Sequence, residues 1–204
     1  MHISEGVLSL PVLASGGVLT GCGTLIGLRR LDYDHIMTTA LLASTFFVAS
    51  LIHIPLGPGS VHLVFSGLLG LLLGWAAVPA IVVALLLQAL LFQHGGLSVL
   101  GVNGVIMGAP AVVVWYLFRS WIVTPGTRRK AGAFLTGFVA VLLSTLLLAG
   151  ALVFSGDSFV RAAQILVLAH VPVMIIEGIV TMFVVGFLAR VQPEMFQTAR
   201  GSRP

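Results

Sequence analysis

Apolar runs broken by short polar or Pro/Gly stretches fill most of the chain, and they predict helices long enough for a bilayer. The runs cover Leu10–Leu28, Ile36–Ile54, Val61–Gly74, Val78–Phe92, Gly104–Val123, Ala131–Phe154 and Ala162–Ala189. A helix needs about 20 apolar residues to cross the hydrocarbon core. The third and fourth runs are short, and Gly74, Trp75 and Pro79 separate them. The pattern predicts an all-α, polytopic transmembrane helical bundle with seven spans, or six if the short third and fourth runs form a re-entrant pair. Small residues recur four apart at Gly17/Gly21, Gly23/Gly27, Ala40/Ser44 and Ser66/Gly70/Gly74. Such spacing lets membrane helices approach closely, and most of it is read as internal packing.

Composition strengthens the membrane reading. Of 204 residues, 58% are hydrophobic and 8% charged, against about 25% charged in soluble domains. The length suits one bundle. Residues 1–190 form a single transmembrane domain with an N-terminal loop over 1–9, and 191–204 form a cytoplasmic tail. With seven spans, Arg29, Arg30, Arg119, Arg128, Arg129, Lys130, Arg190, Arg200 and Arg203 share one side, and Arg161 is on the other. The positive-inside rule then places the N-terminus outside and the C-terminus in the cytoplasm of a cell inner membrane. The net charge of +4 sits at membrane edges and does not indicate nucleic-acid binding. The single Cys22 excludes a disulfide framework and a thiolate cluster, and small-residue packing is its expected role.

The N-terminus, Met1-His2-Ile3-Ser4-Glu5-Gly6, carries the candidate chemistry. No basic region precedes the first apolar run, so it reads as a functional end rather than a signal peptide. The imidazole and backbone nitrogen of His2, with the α-amine of Met1, can close fused chelate rings on one metal. Three nitrogens in a plane with a fourth position open suit Ni(II) or Cu(II). The plainer alternative is that His2 is an ordinary polar terminal residue. The Pro/Gly-rich stretch Pro55–Ser60 reads as a rigid turn that delivers His62 to a helix start. His62 is the candidate for the fourth nitrogen, or else bonds a neighbouring carbonyl. In the stretch 92–104, Gln93, His94 and Asn103 are candidates to orient metal ligands; equally, they could satisfy loop backbone groups. His53 is read as capping its helix. His170 and Glu177, seven apart on the last span, are read as candidates for a buried polar contact.

Three motifs in order, Met1-His2-Ile3-x-Glu5-Gly6, Gly57-Pro58-Gly59-Ser60-Val61-His62-Leu63 and Phe92-Gln93-His94-Gly95-Gly96-Leu97-x-x-Leu100-Gly101-Val102-Asn103, resemble the CbiM/NikM family. These are substrate-binding membrane subunits of energy-coupling-factor cobalt or nickel importers. The resemblance is strong over the first 115 residues and one of hydropathy beyond them. It implies that Met1, His2 and His62 hold Co(II) or Ni(II) as transported substrate, with no cofactor. It implies that the N-terminal loop dips into the bundle. It also implies a coupling transmembrane subunit, ATPase subunits and room for a small accessory membrane subunit, often in the service of cobalamin synthesis.

The chain has no G-x-x-x-x-G-K-[ST] phosphate loop, no H-E-x-x-H and no G-x-S-x-G, so ATP binding by that route and hydrolysis have no support. The expectation is a transport subunit and not an enzyme. The competing reading is a membrane-anchored haem or electron-transfer subunit using the histidines of the outer edge. Haem ligands would be expected as pairs on facing helices.

Overall fold

The computed structural model describes residues 3–51, 53–56 and 59–197. The helices are α1 (Leu10–Arg29), α2 (Ile36–Leu51), α3 (Ser66–Leu73), α4 (Ala77–Phe92), α5 (Leu100–Val123), α6 (Thr127–Val153), α7 (Val160–Val191) and the short α8 (Glu194–Gln197). Between α2 and α3 lie β1 (His53–Leu56) and β2 (Gly59–His62), paired antiparallel. Six stretches among the described residues are long and apolar enough to cross a bilayer, with Ser66–Phe92 counting as one.

That stretch contains a reversal. Its hinge is Gly74, at φ 57° and ψ −125°, a conformation essentially confined to glycine. A Cβ there would also lie 3.0 Å from the Trp115 indole. Gly70 and Gly74 meet Ala111 and Trp115 of α5 in the same order, so α3 runs beside α5 in the same direction. Val78 and Pro79, at the start of α4, meet Gly23 and Gly27 of α1, whereas Gln88 bonds Ser50 at the end of α2. The seven helices therefore alternate in direction. At 8 residues, α3 is about 12 Å long and is only a half-span.

The hairpin corrects two expectations. The second helix stops at Leu51 rather than Ile54, and the third begins at Ser66 rather than Val61. His62 therefore lies on a strand and not at a helix start, and His53 is a strand residue rather than a cap. The register pairs His53 with His62 and Leu56 with Gly59. Pro55 on β1 and Gly59 on β2 disfavour a continued helix in these strands.

The core is built around α5, which packs against α1, α3, α4 and α6. Small residues set the closest approaches. Gly16 meets Val102, Thr20 meets Gly104, and Gly101 meets the Gly17 backbone. The inward stripe of α1 is thus Gly16, Thr20, Gly23 and Gly27, whereas a side chain at Gly17 or Gly21 would meet open space. Cys22 is exposed on the outer side of α1, not packed inside. Leu19, Leu25, Met37, Leu41, Leu168 and Phe183 also face outward, as lipid-facing residues do.

The N-terminal arm and the C-terminal α8 occupy opposite ends: Ile3 meets Asn103 early in α5, and Phe196 packs with Ile122 at its end. Arg29, Arg30, Arg119, Arg128, Arg129, Lys130 and Arg190 lie toward the α8 end, and Arg161 toward the other. Three of these arginines stack on tryptophans: Arg30 on Trp75 at 5.6 Å, Arg119 on Trp115 at 4.5 Å and Arg128 on Trp121 at 5.5 Å. Aromatic and basic residues in one layer mark a membrane–water boundary.

Candidate metal centre

Residues 3–9 cross the end of the bundle as an arm fastened at three points. Ile3 is 4% exposed. Its N–H donates to Asn103 Oδ1 at 3.1 Å, and its carbonyl accepts from Asn103 Nδ2 at 3.3 Å. One buried amide thus clamps both polar groups of a single peptide residue. Further along, Glu5 accepts from the backbone N–H and the hydroxyl of Ser98, each at 3.0 Å. These bonds hold the Glu5 carboxyl below its ordinary range, because they favour the ionised form. Gly96 (φ 131°) lies so close that a Cβ there would overlap the Glu5 side chain. Finally, the Ser9 N–H donates to Ser155 Oγ at 3.1 Å. Ile3 and Leu8 are buried in the main apolar cluster.

A second arm descends from β2. Val64 is buried, and Phe65 packs against the same apolar cluster as Ile3. The Val64 N–H donates to Glu177 Oε2 at 3.0 Å, and the Phe65 N–H donates to Glu177 Oε1. Glu177 is fully buried on α7.

These arms bear on the predicted ligands as follows. Met1 and His2 lie outside the described residues, one peptide bond or two beyond the clamped Ile3. His62 is placed by its backbone, two residues before Val64. Asn103 faces the N-terminal arm and not the loop it follows. Gln93 is exposed and ends α4 in a left-handed conformation, φ 55°. His94 is exposed; its backbone N–H donates to the Gln88 carbonyl and its Nδ1 lies 3.2 Å from the Phe92 carbonyl. The fold thus brings Asn103 to Ile3 and sets Gln93 and His94 at the exposed end of α4. Among the described residues, no three His, Cys, Asp or Glu side chains converge as a metal cluster. The polar contact expected between His170 and Glu177 is replaced by separate ones. His170 Nδ1 lies 2.7 Å from the Leu166 carbonyl of its own helix, while Glu177 turns to the segment that opens α3.

Sequence reasoning missed Ser98 and Ser155, which look like any loop or helix-end serine. It noticed Glu177 but not its partners. The available signal was a lone carboxylate within an apolar helix, costly in a membrane unless it has a task.

These features define a multi-pass helical membrane protein with its N-terminal segment fastened into one end of the bundle. The family described as cobalt uptake substrate-specific transmembrane region, CbiM, matches residues 2–195. The chain belongs to the CbiM family of cobalt/nickel transport membrane proteins. A protein of Haemophilus influenzae provisionally named a metal transport protein is 42% identical over 96% of both chains. The fused nickel transport protein NikMN of Rhodobacter capsulatus is 31% identical over 98% of this chain, which spans 65% of that protein. The cobalt transport protein CbiM of Geobacter sulfurreducens is 32% identical over 96% of this chain and 61% of its own length. A crystal structure of a transition metal transporter superposes with a TM-score of 0.80 at 25% identity, covering 94% of this chain and 93% of that one.

Proposed function

We propose that the chain is the substrate-capture subunit of an ATP-driven energy-coupling-factor importer, taking up Co(II) or Ni(II) at the outer face of the inner membrane. The α-amine of Met1, the backbone and imidazole nitrogens of His2 and the imidazole of His62 hold the ion. The observation that carries this reading is the two-way clamp of Asn103 on Ile3. It draws the residue beside His2 into the bundle, with adjacent Cα atoms about 3.8 Å apart. Asn103 orients the arm, while Gln93 and His94 line the nearby turn. The basic residues gathered toward the α8 end favour a cytoplasmic C-terminus and an external N-terminus. The unit comprises residues 1–190, with 191–204 as its cytoplasmic tail. Uphill movement requires a coupling transmembrane subunit and ATPase subunits, with a place for a small accessory subunit. The family assignment gives no support to a haem role.

The test is metal content and Ni(II) or Co(II) titration of the protein with a native N-terminus. It is compared with a form carrying one extra N-terminal residue, and with His2→Ala and His62→Ala. Binding near one ion per chain is expected in the native form. It should be lost in the extended form and in His2→Ala, and severely weakened in His62→Ala. Equal binding by the native and extended forms overturns the terminal chelate.

A further inference from the structure

Glu177 has no part in the ligand set above, yet it is completely buried in the interior of a 32-residue helix. Its distance along α7 from the helix start is about 25 Å, so it lies deep in the bundle. Both carboxylate oxygens are directed at backbone donors, those of Val64 and Phe65. Phe65 is the N-cap of α3. A carboxylate at this place satisfies the Phe65 N–H, a donor that a helix start leaves unpaired, together with the Val64 N–H just before it, and complements the positive end of the helix dipole. The same surroundings oppose a cation at Glu177, so its geometry is that of a holder and not of a metal ligand. Phe65 is also held at φ 47°, which a large side chain adopts only where neighbours impose it.

The segment so held is the one that follows His62. Because α3 runs beside α5 with Gly70 at Ala111 and Gly74 at Trp115, the start of α3 lies level with Met107. That is one turn from Asn103, about 6 Å in depth. Two buried side chains from two helices thus secure two arms at nearly one level, and each secures backbone one to three residues from a proposed ligand.

We propose that Glu177 is a positioning residue for metal capture, fixing the strand that carries His62 against the arm that Asn103 fixes. The inference rests on the ligand reading above. It is tested by Ni(II) titration of the full chain, native N-terminus intact, in Glu177→Gln, Glu177→Asp and His62→Ala. Thermal unfolding and the absorption of the saturated Ni(II) complex are measured on each. Glu177→Gln keeps shape but offers one acceptor oxygen in place of two; it should weaken Ni(II) about 10-fold to 100-fold and regain the parent absorption at saturation. Glu177→Asp, one methylene shorter, should fall between, and it decides by the same criteria if Glu177→Gln does not fold. His62→Ala should change the absorption itself. Parent affinity in the folded Glu177 variants, with or without a lower Tm, overturns the positioning role while an altered His62→Ala leaves the ligand reading standing. Parent affinity and absorption in His62→Ala overturn the ligand reading and the inference together.

Discussion

At the scale of single residues, Asn103 shows why a buried amide suits this place better than a carboxylate. Its carbonyl oxygen and one of its two N–H donors match the N–H and C=O of Ile3, and an unpaired buried group costs about 1–3 kcal/mol. Asn103→Ala should therefore weaken metal binding about 10-fold to 100-fold. Asn103→Asp should be no better, since it turns an acceptor toward the Ile3 carbonyl. Both are read by Ni(II) titration, and parent affinity in Asn103→Ala would mean that capture does not depend on the clamp. The sequence made Asn103 a candidate through its place after a Gly-rich loop, but not its partner, 100 residues away. Glu177 was similarly conspicuous as a lone carboxylate, and helix spacing directed attention to His170. The decisive donors lie 113 and 112 residues back in the chain, where no local periodicity points.

At the scale of elements, the long helices were legible because a bilayer demands about 20 apolar residues wherever the chain crosses. The half-span was legible as a short run broken at Gly74, but its start at Ser66 was not. Val61, Leu63, Val64 and Phe65 are as apolar as a helix start, and short apolar runs do not distinguish strand from helix. The capping carboxylate sets where α3 begins, and Gly74 sets where it ends. Gly74→Ala should cost about 1–3 kcal/mol for its backbone conformation, with added crowding against Trp115. Thermal unfolding in detergent should show a Tm several degrees lower; an unchanged Tm would mean that the reversal does not need glycine. The small-residue pattern was legible in part: Gly23/Gly27 and Ser66/Gly70/Gly74 pack inward as the spacing suggested, whereas Gly17/Gly21 and Ala40/Ser44 face outward. On α1, Gly16 and Thr20 are met by Val102 and Gly104 of α5, and Gly23 and Gly27 by Val78 and Pro79 of α4.

For the whole molecule, the asymmetry of charge is the clearest feature. Seven basic residues lie toward one end and Arg161 toward the other among the described residues. This predicts orientation. With Cys22 replaced, a cysteine at Ser98 should react with a membrane-impermeant thiol reagent added to intact cells, and one at Arg129 only after lysis. The reverse pattern would invert the proposed direction of uptake. The seven alternating helices follow from the apolar runs, but the way the arms converge depends on contacts between the first residues, the hairpin, α5 and α7.

The Glu177 contact also bears on how the chain comes into being. A ribosome makes α3 long before α7, and a segment of 8 residues is too short to settle across a bilayer unaided. The carboxylate that meets its first turn emerges more than a hundred residues later. Until that last long helix is inserted, the donors of Val64 and Phe65 lack the carboxylate that joins them in the folded chain, so this contact belongs to the closing stage of assembly.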